Sequence, residues 1–383
     1  MGNNTKNYQQ CTQCVMDTSD PEIVFDENGV CNHCIEYEQV TSKRYLPNEI
    51  GKAKLEGIIA NLKKEGKGKE YDCIIGLSGG VDSCYLALKI KEWGLRPLVV
   101  HVDTGWNSEM AVANINRVID YCGYELFTHV VQWDEMRDLQ VAYLKAGVAN
   151  QDVPQDHAIF ATIYHFATKN NIKHILTGGN IATEGIFPQA WQGSAMDATN
   201  LHAIQKKFGK IKLKSYQTIS MFDYYIWYPF IKGMKTIRPL NFVPYIKNDA
   251  INEMKDKIGW KNYGRKHGES VFTKLFQNYY QPVKFGYDKR LPHLSSLIVS
   301  GQISRDAALE QLKEPLYDPE ELDNDITYFC RKLDVDRTEF DQFISDRSRD
   351  YTEFPNNLAK QQFLKKIQRF TENVLKRRVA NYS

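Results

Sequence analysis

Residues 71–93 read YDCIIGLSGGVDSCYLALKIKEW, and this stretch decides the fold. The apolar run Tyr71–Leu77 has the length and composition of a buried strand. Ser78, Gly79 and Gly80 make a turn, and Val81, Asp82 and Ser83 open an amphipathic segment that stops at Gly94. Strand, glycine turn and helix in that order aim bare backbone N–H groups at an anion, and the helix N-terminus adds partial positive charge. Ser78 and Ser83 can donate hydroxyl hydrogen bonds to phosphate. Asp82 would repel a naked phosphate, so its expected task is to hold a magnesium ion that bridges to it. No Gly-Lys-Ser/Thr follows at Walker spacing, and the turn is not a GxGxxG.

Working outward, strands and helices alternate from Tyr71 onward, which predicts a doubly wound parallel α/β sheet. A second strand covers 96–102 and ends in His101, Val102, Asp103 and Thr104. A helix over 109–121 follows, stopped by Gly123, and a third strand covers 125–131. Helical spacing resumes over Val153–Lys169. A strand at 172–176 then runs into Thr177, Gly178, Gly179 and Asn180, a second glycine pair at a strand end. Ligands of open α/β sheets sit at the carboxyl ends of strands, so Gly178, Gly179 and Asn180 are expected to approach a nucleotide. Glu184, just downstream, either faces the reacting centre or lies on a surface loop. A last strand over 237–240 and a helix over 248–258 close the sheet.

The chain has 383 residues, 42% of them hydrophobic, and a formal charge of +2. That is enough for a full α/β domain with appendages. The near-neutral balance leaves no electrostatic footprint for nucleic acid. The start, MGNNTKNYQQ, has no apolar run and no stretch is apolar enough to span a bilayer, so a cytoplasmic chain without membrane contact is expected. Eight cysteines in such a chain point to metal or chemistry before disulfides.

Cys11, Cys14, Cys31 and Cys34 form two CxxC pairs around PEIVFDENGV, which reads as a hairpin turning at Asn28-Gly29. Two tight turns each present two thiolates, and four thiolates close a tetrahedron around Zn2+. Two disulfides, or an iron–sulfur cluster on the same ligands, are the alternatives. His33, inside the second pair, is read as a bystander. The expected layout is a zinc ribbon over 1–45, a helix and linker over 46–70, the nucleotide domain over 71–262, and a mainly helical region over 263–383.

Residues 186–235 are rich in aromatics, most of them suited to core packing. Trp191 lies in a loop-like stretch and is the better candidate for stacking on a sugar. Farther on, Lys266, His267, Lys284, Lys289 and Arg290 sit among aromatics, which suits capture of an anionic ligand such as a nucleotide-sugar diphosphate or departing pyrophosphate.

Ser-Gly-Gly-Val-Asp-Ser resembles the pyrophosphate loop of the ATP pyrophosphatase superfamily, with its adenine nucleotide alpha hydrolase-like fold. There ATP is cut between its α and β phosphates and AMP is placed on a substrate oxygen. That resemblance implies that backbone at His101, Val102 and Asp103 holds adenine. Over Cys11 to about Leu312, the segments CVMD, VHVDTGWNS, TGGNIATEGIFPQAW and KHGESVFTKLFQNYYQPVKFGYDKRLPHLSSLIVSGQ resemble the N-acetyl sugar amidotransferase family, which makes acetamidino sugars for bacterial surface polysaccharides. The resemblance implies that an acetamido oxygen attacks the α phosphorus of ATP, pyrophosphate leaves, and ammonia displaces AMP. Catalysis would then rest on positioning and charge neutralisation by Asp82, Ser78, Lys284, Lys289 and Arg290. Glu184, Trp191, Lys266, His267, Lys284 and Arg290 are the expected sugar contacts.

A glutaminase needs an activated cysteine. Four cysteines are expected to hold metal, Cys73 and Cys84 fall in a buried strand and a helix turn, and Cys122 and Cys330 carry no such signature. A separate glutamine amidotransferase, a glutaminase with a cyclase-like ammonia-channelling subunit, is therefore the expected partner. The rival function within the superfamily is a tRNA-thiolating enzyme.

Overall fold

A computed structural model describes residues 7–191, 193, 195–264 and 268–375. Five strands form one parallel sheet: β1 (Cys73–Gly76), β2 (Pro97–Asp103), β3 (Leu126–Val130), β4 (His174–Leu176) and β5 (Lys235–Ile237), in the order β3-β2-β1-β4-β5. Cys73 registers with Pro97 on one side, and Ile74 with Ile175 on the other. The chain builds β1, β2 and β3 outward in one direction and then returns to lay β4 against the free side of β1. The strand order therefore reverses between β1 and β4, and the crevice of such a sheet opens there.

Alternation along β1 splits the core in two. Ile74 joins Leu98 and Val100 beneath α4 (Trp133–Ala146) and α5 (Val153–Lys169), with Met136, Leu139, Ala158 and Ala161. Cys73 and Ile75 join Val99 beneath α2 (Val81–Glu92), α3 (Glu109–Cys122) and α6 (Lys247–Ile258), with Leu86, Ile90, Ile115 and Met254. Both faces of β1 are buried, which is why the strand reads as a continuous apolar run.

Strand boundaries differ from the sequence expectation, most in the first and last strands, and α4 was not foreseen. The last strand lies at 235–237, because Pro239 has no N–H for the ladder and starts a 3-10 turn, Pro239–Phe242. The first strand is trimmed to 73–76. Asp72 is turned to pair with Arg96, accepting from Nη2 at 2.7 Å.

The N-terminal module turns at Asp26–Val30, where Gly29 takes φ +76° and the Asp26 N–H donates to the Val30 carbonyl at 2.9 Å. It is anchored on the C-terminal region. Arg305 donates to the Cys14 carbonyl at 2.9 Å and the Cys11 carbonyl at 3.0 Å. Met16, Trp191, Leu291, Leu294 and Ala308 share one apolar cluster with the cysteines. The rest of the C-terminal region packs on the carboxyl edge of the sheet. Trp106, three residues past β2, lies in a cluster with Phe272, Phe276, Phe329 and Phe340. Of the aromatics at 216–231, Tyr216 and Tyr228 are buried, whereas Phe222, Trp227 and Phe230 stay exposed. No helix among the described residues is long and apolar enough to cross a membrane.

Candidate functional site

The two glycine turns lie side by side. Gly80 caps α2 with φ −70° and ψ 164°, leaving the first-turn N–H groups pointing out of the helix. Gly79 takes φ +86°, and a Cβ there would lie 2.6 Å from the Ala111 carbonyl oxygen. The turn is thereby pressed onto α3, and only glycine fits it. Trp260 donates from Nε1 to the Gly79 carbonyl at 3.3 Å, and the Tyr263 hydroxyl donates to the same oxygen. The hydroxyls of Ser78 and Ser83 meet at 3.1 Å, and Gly80 N–H donates to Ser78 Oγ at 3.3 Å. Ser78 is exposed, while Val81, Asp82 and Ser83 are half-buried.

Gly178 makes the second approach. A Cβ on it would fall 2.6 Å from both C and O of Asp82 and 2.9 Å from Ser83 N, so main chain meets main chain there. Asn180, the cap of the short helix Ile181–Glu184, accepts from Thr183 N–H at 3.0 Å. Its Nδ2 donates to Asp82 Oδ1 at 3.2 Å. The Tyr245 hydroxyl donates to that same oxygen. Burial and the Asp82 charge push the Tyr245 hydroxyl well above its ordinary range, so it remains a neutral donor. Glu184 sits at this turn, with Oε2 3.5 Å from where a Gly179 Cβ would be. Its charge also reaches Tyr245.

At the end of β2, His101 Nδ1 meets the Leu77 carbonyl at 2.8 Å, tying this edge to the residue that enters the glycine turn. Asp103 accepts from Gly105 N–H at 2.7 Å and Asn107 Nδ2 at 3.0 Å. Asn107 in turn forms an antiparallel bridge with Ser270. Glu269 follows this bridge inward, with Oε1 2.9 Å from where a Gly80 Cβ would be. The C-terminal region thus starts against the first glycine turn.

The expected basic residues divide. Lys284 Nζ donates to the carbonyls of Phe343, Ile344 and Asp346 at 2.7, 3.2 and 2.6 Å. It caps the helix Arg337–Ser345, whose last carbonyls attract a cation. Arg290 is forked onto Asp288, with Nη2 2.7 Å from Oδ2, and donates to the Glu314 carbonyl at 2.7 Å. Both are engaged in structure, a correction to the sequence expectation. Trp191 is a second correction. Its ring is fully buried and stacks on Tyr287 with centroids 4.7 Å apart, leaving no platform for a sugar. Lys289 is placed differently from Lys284 and Arg290: its Nζ lies 5.6 Å over the Phe187 ring, and its charge acts on Asp156. Lys266 and His267 lie outside the described residues.

Four participants escaped the sequence reading. Tyr245, Trp260 and Tyr263 support the loop from far along the chain. Arg238 directly follows β5, with Nε 3.8 Å from where a Gly179 Cβ would be. Only its place at a strand's carboxyl end could have marked it.

Cys11, Cys14, Cys31 and Cys34 are all buried, and their sulfurs lie within 4.8 Å of one another. The Cys11–Cys34 and Cys14–Cys31 sulfur separations are 3.9 and 3.7 Å. One tetrahedral ion about 2.3 Å from each thiolate would space its ligands about 3.8 Å apart, so the set fits a single metal ion. His33 is turned to Asp20, with Nε2 2.6 Å from Oδ2. The other cysteines are buried, which pushes the Cys84 thiol up to about 12 and the Cys122 and Cys330 thiols up to about 11. Cys73 is also raised by burial.

Residues 269–368 match a family model described as LPS biosynthesis protein WbpG-like, C-terminal domain. No curated protein matches the chain. Among solved structures it is similar to the NH3-dependent NAD synthetase of Campylobacter jejuni subsp. jejuni NCTC 11168, with 15% identity, 40% of this chain and 72% of that one covered, and a TM-score of 0.27. It is also similar to the NMN synthetase of Francisella tularensis, with 16% identity, coverage of 55% and 94%, and a TM-score of 0.29. A third is the U34-tRNA thiolase NcsA of Methanococcus maripaludis with its 4Fe-4S cluster, with 13% identity, coverage of 80% and 90%, and a TM-score of 0.33.

Proposed function

We propose that this chain, whose residues 269–368 carry a WbpG-like C-terminal domain, is an ATP-dependent amidotransferase of surface-polysaccharide synthesis. It converts an acetamido group of a sugar to an acetamidino group. The observation that carries this reading is the seating of Gly178 against Asp82 and Ser83. It joins two glycine turns where the strand order reverses, the place at which such sheets bind nucleotide.

The chemistry follows from what each residue can do. An amide oxygen is a poor leaving group and adenylate is a good one. The Ser78–Ser83 turn and the α2 N-terminus grip the β and γ phosphates and stabilise them as they depart. The end of β2 at His101, Val102 and Asp103 takes the adenosine side. The sugar carbonyl attacks the α phosphorus, pyrophosphate leaves, and ammonia displaces AMP from the resulting imidate. Asp82, with the Ser78 and Ser83 hydroxyls beside it, offers the hard oxygen donors that Mg2+ prefers. When bound, that ion neutralises phosphate charge. Asn180 and Tyr245 fix the Asp82 carboxylate for this work, and Arg238 and Lys289 supply positive charge at the crevice.

The thiolate set suits Zn2+ in a structural role, since four protein ligands leave no open position. Ammonia comes from a separate glutamine amidotransferase, because Cys73, Cys84, Cys122 and Cys330 are buried with raised thiol pKa values. The same property disfavours a sulfur-carrying, tRNA-thiolating role. The test is mass spectrometry of a UDP-linked or free diacetamido sugar incubated with the protein, ATP, magnesium and ammonium. The product should be lighter by the difference between an oxygen and an NH. An unchanged sugar across a panel of such substrates contradicts the reading.

A further inference from the structure

Asp156, half-buried on α5, is used by nothing described so far. Its position follows from the helix that carries it. Ile163 of α5 reaches within 2.8 Å of where a Cβ on Gly76 would be, so this residue rides on the last residue of β1. Asp156 precedes it by seven residues. Two helical turns bring it back to the same face, roughly 10 Å nearer the helix N-terminus. It therefore faces the sheet side but overshoots the strand end, above the edge where Ser78–Gly80 leaves β1. Its neighbour Gln155 fixes that placement by accepting from Thr104, the residue after β2, at 2.8 Å.

The stripe of α5 that packs inward thus changes character where it clears the sheet. Ile163 and Ile159 are apolar and packed into the core, while Asp156 and Asp152 continue the same line. The two acids differ. Asp152 is buried and held by the C-terminal region, accepting from Thr273 Oγ1 at 2.9 Å and Gln277 Nε2 at 3.1 Å. No described side chain donates a hydrogen bond to the Asp156 carboxylate, and Asp156 keeps accessible surface. A carboxylate that keeps accessible surface and has no donor among the described side chains is open to a ligand. The charged and titratable groups that act on it are Asp152 on its own helix, Lys289 from the C-terminal region, and Tyr216 from the loop packed beneath. Burial and Asp152 favour its protonated form, while Lys289 opposes them.

We propose that Asp156 accepts the proton released when ammonia attacks the adenylated imidate, and so serves amidine formation and not adenylation. This rests on the amidotransferase reading above. The nitrogen of ammonia forms a bond to the imidate carbon, and one of its protons passes to an Asp156 oxygen. The bond from carbon to the adenylate oxygen then breaks, and its electron pair leaves with AMP. The proton on Asp156 passes to solvent, resetting the site.

The experiment compares wild type with Asp156→Asn, measuring sugar-dependent pyrophosphate release and amidine product in the same incubation with ammonium. The variant should release pyrophosphate at a rate within about threefold of wild type. Its amidine yield should fall by about a hundredfold or more, the usual worth of a positioned base. The ratio of pyrophosphate to amidine rises because water then consumes the imidate. At fixed free ammonia, the acid limb of the amidine rate should be present in wild type and absent from the variant. Equal losses in both products, or an unchanged amidine rate, overturn the proposal. Should wild type release no pyrophosphate with any sugar, the amidotransferase reading itself fails and takes this one with it. If the Asn variant does not fold, Asp156→Glu serves instead. Displacing the carboxyl should slow amidine formation at least about tenfold while sparing adenylation, and equal rates for the two products would overturn it.

Discussion

Asn180 donates from its side-chain nitrogen to Asp82 Oδ1 at 3.2 Å, tying the cap after β4 to the first turn of α2. The two glycine turns are therefore one device, and the orientation of the acid depends on a residue ninety-eight positions away. Removing an orienting partner of a metal-binding group typically costs ten- to a hundredfold. Asn180→Ala should lower kcat/KM for ATP by about that much and raise the magnesium concentration needed for half-maximal rate, whereas Asp82→Ala should abolish turnover. Steady-state pyrophosphate release across a magnesium series checks both.

Gly178 and Gly179 are adjacent but unequal. A methyl group on Gly178 would collide with main-chain atoms at 2.6 Å, while one on Gly179 would find its nearest neighbour, a Glu184 oxygen, at 3.5 Å. Gly178→Ala should force the loops apart, abolish detectable ATP binding and cost about 1–3 kcal/mol of stability. Gly179→Ala should bind ATP within a few fold of wild type. Calorimetric titration with a non-hydrolysable ATP analogue, together with denaturant melts, distinguishes them.

Burial and the neighbouring Asp152 push the Asp156 carboxyl up to about 8, against about 3.9 in an unfolded chain. Between those values the folded protein holds a proton that the unfolded chain has released. The site therefore stabilises the fold at low pH, and that contribution is lost as pH rises through about 8. Asp156→Asn should flatten the fall in Tm between about pH 5 and about pH 8 and melt higher than wild type at the upper end. Melting curves across that range provide the check, and a slope unchanged by the substitution would count against a raised carboxyl.

The cysteine module shares its apolar cluster with Trp191, Leu291 and Leu294. Losing its metal should therefore loosen the C-terminal region as well. Elemental analysis should find one zinc per chain, and Cys11→Ser or chelation should remove it. Because structural metal binding is coupled to folding, Tm should drop by many degrees and return when zinc is restored to the chelated wild type. A brown, iron-containing preparation would replace zinc with an iron–sulfur cluster on the same ligands.

What the residue string revealed was whatever depends on neighbours in sequence. The Ser78–Ser83 turn, the second glycine turn and the two CxxC pairs each carry their geometry within a few positions, and α5 was read to its observed ends. What it concealed depends on pairing at a distance. Lys284 and Arg290 looked like anion ligands in a basic run, yet one caps a helix and the other is matched to Asp288 and a carbonyl. Trp191 looked exposed because its loop is irregular, but Tyr287, nearly a hundred residues on, covers it. Tyr245 and Arg238 carried no local signal, and Asp156 was hidden in a helix whose apolar spacing drew attention to its other residues. Pro239 was the visible reason to end the last strand early, and it was overlooked.

The most direct test of the account is to identify the nucleotide products when the protein turns over an acetamido sugar with ATP, magnesium and ammonium. AMP and pyrophosphate should appear in step with the amidine, and neither should form with Asp82→Ala. ADP and orthophosphate in their place would mean that the glycine turns serve a different cleavage of ATP, and the account would be wrong.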